Sequence, residues 1–187
     1  MGKISYSNLT SLDGYIADRD GNFDWAMPVG DVHDAVNADA RTAGTFALGR
    51  RVWDVLRWWD DFDPENPEGH DEQSAEFTRI WHAADKLVYS RTLTRIDAPR
   101  TTLVGRFDPI ELRALAEASD RDVSIGGAHL AAQAFAAGII DEVVLWVFPV
   151  TVGGGLAAFP TDARVDLDLR SERRLPGGVI EARYRVR

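Results

Sequence analysis

Residues 123–150 read VSIGGAHLAAQAFAAGIIDEVVLWVFPV, and this stretch restricts the fold more than any other part of the chain. A short apolar strand over 123–125 runs into Gly126-Gly127 and then into an alanine-rich helix expected over 128–137. A second strand, expected over 142–150, is apolar almost without alternation. Strands of that kind are covered on both faces, and a strand–helix–strand unit joins parallel neighbours. The two glycines pose a question. They form either a plain strand-to-helix turn or a place where something approaches the backbone too closely for a side chain to remain.

The rest of the chain continues the alternation. Further strands are expected over 3–9, 45–48, 86–89 and 102–104, and helices over 31–43, 50–58, 73–83 and 109–118. Each early strand is reached through a helix or a long crossover, which implies a largely parallel sheet. The end differs. Segments 164–174 and 179–187 flank LPGG, a hairpin signal, so antiparallel edge strands are expected there. With 187 residues, 45% hydrophobic content and no repeat or flexible linker, the expectation is one α/β domain over 1–187.

Composition narrows the function classes. Zero cysteines exclude disulfides, thiol nucleophiles and Cys-ligated zinc, and no metal site is expected. A formal net charge of −9 argues against nucleic-acid and anionic-membrane partners. No apolar run reaches membrane-spanning length, and the chain opens on strand-like KISYSNLT, so a cytoplasmic protein without a signal peptide is expected. Residues 60–72, DDFDPENPEGHDE, hold seven acids without a Lys or Arg and read as a solvated loop.

In parallel sheets, ligands sit outside the carboxyl ends of the strands. Three such ends stand out. Leu48 is followed by Gly49-Arg50-Arg51 and a helix; Tyr89 by Ser90-Arg91-Thr92; Ile125 by Gly126-Gly127-Ala128-His129 and a helix. Bare amides at a helix N-terminus favour an anion, and forked guanidinium and hydroxyl donors match a phosphate. Any one of these arginines alone reads as surface solubility, and one glycine pair as a turn. Three corresponding ends in an acidic chain point instead to a small-molecule site holding a pyrophosphate and a second phosphate.

The motifs SLDGYIADRDGNFDW (11–25), LGRRVWDVL (48–56), KLVYSRTL (86–93) and SIGGAHLAAQAFAAGIIDEVVLWVFPVTVGGG (124–155) resemble the dihydrofolate-reductase-like family. They are most similar to its branch containing the reductase domain of the riboflavin-biosynthesis deaminase/reductase. The resemblance implies a three-layer sandwich with helices on both faces of the sheet. It also implies NADPH as cofactor and hydride transfer to a heterocycle or carbonyl. Gly49, Arg50, Ser90, Arg91 and Thr92 would hold the adenosine 2′-phosphate, and Gly126, Gly127, Ala128 and His129 the pyrophosphate. Gly14 and Ile16 would meet the nicotinamide, with Trp25 bordering it, and Gly153–Gly155 would belong to a mobile cover. A homodimer is also implied, since the 142–150 strand needs cover on both faces and a partner subunit would supply part of it.

Substrate and proton donor stay open at this level. A folate reductase would carry an Arg six residues before the strand-end serine, where Ala84 stands, and the acidic 60–72 stretch suits a phosphorylated ribose poorly. The fused zinc deaminase is absent, as the lack of cysteines requires. A stand-alone reductase of an unphosphorylated substrate is expected; the alternatives are a dihydrofolate or pterin reductase and a non-catalytic NADPH-binding or redox-sensing module. Asp13, Asp31, Asp34 or a water could donate the proton, with Asp31 chosen as the catalytic candidate. Trp53, Trp58, Trp59 and Trp81 read as packing or interface residues, and His33 and His70 as exposed.

Overall fold

A computed structural model describes residues 1–66 and 71–187. The expected exposure of His70, and part of the 60–72 stretch, lie outside the described residues. The chain runs β1 (Ile4–Ser11), β2 (Tyr15–Ala17), α1 (Asp31–Ala40), β3 (Ala43–Gly49), α2 (Arg50–Leu56), α3 (Glu72–Ala83), β4 (Asp85–Tyr89) and β5 (Thr101–Val104). Then come α4 (Pro109–Ala118), β6 (Asp122–Gly126), α5 (Ala128–Ala136), β7 (Glu142–Phe148), β8 (Leu156–Ala157), β9 (Leu167–Arg174) and β10 (Ile180–Val186).

Eight strands form one sheet in the order β5-β4-β3-β6-β1-β7-β10-β9. The six from β5 to β7 are parallel, and β10 and β9 join antiparallel. Inward positions alternate along each strand. Ile4, Tyr6, Val123, Ile125 and Val143 pack with Leu112 and Ala116 of α4 and Leu130, Ala131 and Ala134 of α5. The opposite face divides into two clusters. Val144, Trp146 and Phe148 meet Val32 and Ala35 of α1, while Phe46, Leu48 and Val88 meet Trp53 of α2 and Ile80 and Trp81 of α3. The expected three-layer α/β architecture is present.

Several boundaries move for identifiable reasons. α1 stops at Ala40, and β3 begins at Ala43 because its partner Asp122 opens β6 there. β7 stops at Phe148, one residue before Pro149, which has no N–H for a ladder. The helix expected to reach Trp58 changes after Leu56 to a 3-10 helix over Arg57–Asp61. Part of the stretch expected as a solvated loop is thereby structured: Asp60 accepts from Trp81 Nε1 at 2.6 Å, and Phe62 is buried. The C-terminal hairpin forms, with Gly177 and Gly178 at φ 72° and 79° inside its turn.

The α1 face of β7 is covered within one chain, with Val144, Trp146 and Phe148 buried, while on the other face Val143 is buried and Leu145 and Val147 stay partly exposed. One expectation is corrected by packing. His33, expected to be exposed, is 7% exposed on the buried side of α1. Of the four tryptophans expected as packing or interface residues, Trp53 and Trp81 are core residues whereas Trp58 is 56% exposed.

Candidate functional site

The strand order places β6 back between β1 and β3 after the chain has gone outward through β4 and β5. A crevice opens at such a switch, at the carboxyl ends of the strands. Here it is a cleft of about 920 Å³ over the face of β1, β3 and β6 that lies between α1 and α2. Its floor includes Ser7, Leu9, Phe46, Leu48, Ser124 and Trp146. Val36, Asp39 and Ala40 of α1 form one wall and Arg51, Val52 and Val55 of α2 the other.

Beside the cleft, the ends of β3 and β4 are bound together. Arg50 Nη1 donates to Thr92 Oγ1 at 2.9 Å, and its Nε stands 3.4 Å from Asp54. Ser90 Oγ lies 3.4 Å from Thr92 Oγ1 and accepts from the amides of Thr92 (3.3 Å) and Leu93 (3.1 Å). Arg50, Ser90 and Thr92 therefore converge, while Arg91 is exposed nearby in sequence. Gly49 caps α2 without a side chain, so the first amides of that helix are bare.

The glycine pair answers the opening question in structural terms first. Gly127 caps α5 at φ 102°, a conformation that side chains rarely adopt. A Cβ there would stand 3.1 Å from Val52 Cγ2, and one on Gly126 would stand 2.6 Å from Leu48 Cδ2. The glycine pair is thus packed against the side chains of Leu48 and Val52, and both glycines line the cleft. Ala128 is buried and His129 exposed, and neither lines the cleft.

The loop after β1 forms a second unit. β2 pairs antiparallel with β8, Tyr15 opposite Ala157, a two-stranded ribbon that sequence reading did not foresee because β8 has only two residues. Asp13 accepts from the amides of Gly153 (2.8 Å) and Val152 (3.2 Å), and Arg19 donates to the Gly153 carbonyl at 2.8 Å. Gly155, at φ 140°, lies so close to the Ala17 carbonyl that a side chain would collide with it. The late loop thus packs on the first one. Ile16 lines the cleft, and Gly14, at φ 86°, turns the chain just before it.

Two candidates sit elsewhere. Asp31 is exposed in the first turn of α1 and lines neither of the two described cavities, and Asp34 is exposed one turn on. Asp13 is held in its ionised form, its carboxyl kept below the usual range by the Ser11 hydroxyl foremost and by the Gly153 and Val152 amides. Trp25 lines a separate apolar cavity of about 300 Å³ with Val32, Phe148 and Val179, and its Nε1 is buried without a partner among the described residues.

Asp39, two turns along α1 from Asp31, lines the cleft, as do Asp18 and Asp20 in the loop after β2. Ser7 Oγ donates to Asp39 Oδ2 at 2.7 Å and Arg183 Nη1 to its Oδ1 at 2.8 Å. Burial pushes its pKa up, against both of those partners. No signal in the sequence marks Asp39, because its importance depends on which face of α1 turns to the cleft. Among the described residues no group of His, Cys, Asp or Glu could hold a metal ion, and no helix is long and apolar enough to cross a membrane.

Comparison with known proteins adds the following. The model of the RibD C-terminal domain matches residues 3–180. The chain is 28% identical over 186 residues to the uncharacterized protein YyaP of Bacillus subtilis (strain 168), covering 97% of this chain and 94% of that one. Its fold is similar to that of a protein provisionally assigned to riboflavin biosynthesis in Shewanella sp. PV-4, with a TM-score of 0.76 at 22% identity, covering 100% of this chain and 99% of the other. It is also similar to the dihydrofolate reductase of Enterococcus faecalis complexed with NADP(H), with a TM-score of 0.61 at 13% identity over 99% and 96% of the two chains.

Proposed function

The chain belongs to the RibD C-terminal domain family, whose members are reductases, and from that premise we propose that it is an NADPH-dependent reductase of a small unphosphorylated heterocycle or carbonyl compound. The observation that carries the reading is the cleft at the carboxyl ends of β1, β3 and β6, with the bare Gly126-Gly127 junction in its lining. Arg50 bridges to Thr92 across the ends of β3 and β4, outside that lining and on the strands next to β6.

The donor set fits the group. A guanidinium with two hydroxyls suits a phosphate monoester, and the uncapped amides at the start of α5 suit a pyrophosphate. Bound there, NADPH would supply hydride, and the protein would supply position and shelter from water. Ile16 and the β2–β8 ribbon cover the cleft from above, with Asp13 latching the ribbon's return loop. The far half of the cleft, between α1 and β1, leaves room for a substrate; a module that only binds cofactor has no need of that space.

Absorbance loss of NADPH with a panel of aminopyrimidines, dihydropterins and small carbonyl compounds tests the reading. Turnover of one class is the expected outcome. NADPH binding without turnover of any class would favour a cofactor-binding module instead. The homodimer is proposed on a different basis from β7: Leu12, Met27 and Val29 are exposed apolar side chains, the latter two lining the Trp25 cavity. Light scattering at micromolar concentration reads it, and a monomeric mass contradicts it.

A further inference from the structure

The parallel pairing of β1 with β6 ends at Tyr6 opposite Ile125, whereas β1 goes on paired with β7 as far as Ser11 opposite Phe148. The strands β1 and β6 therefore part at their carboxyl ends. Asn8, two residues past the last pair, lines the cleft at that fork together with Gly126 and Gly127. An asparagine is out of place in a central strand, and a buried amide is costly unless it is hydrogen-bonded. Yet Asn8 Nδ2 is buried and makes no hydrogen bond among the described residues. The neighbouring phenol does not satisfy it. Tyr6 Oη gives its own proton to the Ala158 carbonyl. Burial raises the pKa of Tyr6, and the Asn8 amide opposes that rise from nearby but outside hydrogen-bonding geometry. A leucine would occupy a similar volume without the cost, so the amide calls for a partner that the chain itself does not supply.

Strand order says which end of a dinucleotide would reach Asn8. Arg50 and Thr92 join the ends of β3 and β4, the glycine junction ends β6, and β1 comes next in the order β4-β3-β6-β1. A dinucleotide with its adenosine phosphate at β3 and β4 and its pyrophosphate at β6 brings its nicotinamide to β1. The carboxamide of that ring carries a donor and an acceptor side by side, and another primary amide is its complement.

We infer that the Asn8 side chain pairs with the nicotinamide carboxamide, amide to amide, and so fixes the rotation of the ring within the cleft. This rests on the reading of the cleft as an NADPH site, and it adds a side chain that recognises the reactive end of the cofactor.

The test reads binding, not turnover. Three ligands are titrated into the full-length protein by tryptophan fluorescence: NADPH, its reduced 3-acetylpyridine analogue, in which a methyl replaces the amide nitrogen, and 2′-phospho-ADP-ribose, which lacks the ring. The unmodified protein is expected to hold NADPH about tenfold more tightly than the analogue. Asn8→Leu is expected to bring that ratio to about one while the affinity for 2′-phospho-ADP-ribose stays within about twofold. Its melting temperature should not fall, because the substitution removes an unpartnered buried amide. A purely structural amide predicts the reverse, a lowered melting temperature with an unchanged ratio. Asn8→Ala serves as the second variant should the leucine disturb the fold, with the same expectation for the ratio. A ratio near one in the unmodified protein, an unchanged ratio in the variants, or an equal loss for 2′-phospho-ADP-ribose would each overturn the pairing. Binding of 2′-phospho-ADP-ribose by the unmodified protein reads the cofactor site separately, so failure of one reading is distinguishable from failure of the other.

Discussion

Arg50 Nη1 lies 2.9 Å from Thr92 Oγ1, joining the first turn of α2 to the loop that follows β4. The two residues are 42 positions apart in the chain, and the parallel pairing of β3 with β4, Gly49 opposite Tyr89, brings them together. Their hydrogen bond aims a forked cation and a hydroxyl at the same edge of the sheet. If that edge holds the extra phosphate of NADPH, Arg50→Gln should weaken NADPH about tenfold and leave NADH unchanged. Equal losses for both cofactors would place Arg50 in the general packing of α2.

Gly127 combines a φ of 102° with a near contact to Val52, so any side chain there is strained as well as crowded. Gly127→Ala should lower the stability of the protein by about 1–3 kcal/mol, read by thermal or urea unfolding. The glycine pair is thus a structural requirement whatever ligand it meets. A selective loss of cofactor binding at unchanged melting temperature is not expected from this geometry.

His33 is buried, and desolvation lowers its pKa from the ordinary 6.5 despite the opposing charges of Asp71, Asp34 and Glu76. The unfolded chain then binds a proton more readily than the folded one as the pH falls below 6.5. The stability that neutral His33 contributes is fully present above that value and declines on acidification through the window beneath it. His33→Gln should flatten the decline, measured as urea midpoints between about pH 7 and 5. A decline of the same slope in the variant would assign it to other groups.

The local signals were legible where turn chemistry is local. Gly126-Gly127, Gly49-Arg50 and Ser90-Arg91-Thr92 each announced a strand end, and the sheet did bring Arg50, Ser90 and Thr92 together. Pairing across the fold was less visible. A two-residue strand such as β8 has no periodicity to read, and its existence depends on β2. Helical periodicity does not tell which polar residues of α1 turn inward, so it leaves His33 on the exposed side and gives no reason to prefer Asp39 to Asp31. His33 and Asp39 are polar residues on the packed side of an amphipathic helix, where neighbours from α3, β1 and β10 decide their role.

Asp13 accepts from two consecutive amides of the late loop, those of Val152 and Gly153. Asp13→Ala should speed hydrogen exchange at those two amides while leaving the amides of β1 and β7 protected. Unchanged exchange at Val152 and Gly153 would show that the loop is held by the β2–β8 pairing alone.

The most direct test of the account is the affinity of the unmodified protein for NADPH against NADH, followed by tryptophan fluorescence. Charge-assisted hydrogen bonds of about 1.5–3 kcal/mol each around one additional phosphate predict that NADPH binds at least about tenfold more tightly. Equal affinities, or binding of neither, would contradict the assignment of the Arg50, Ser90 and Thr92 cluster and with it the proposed reductase.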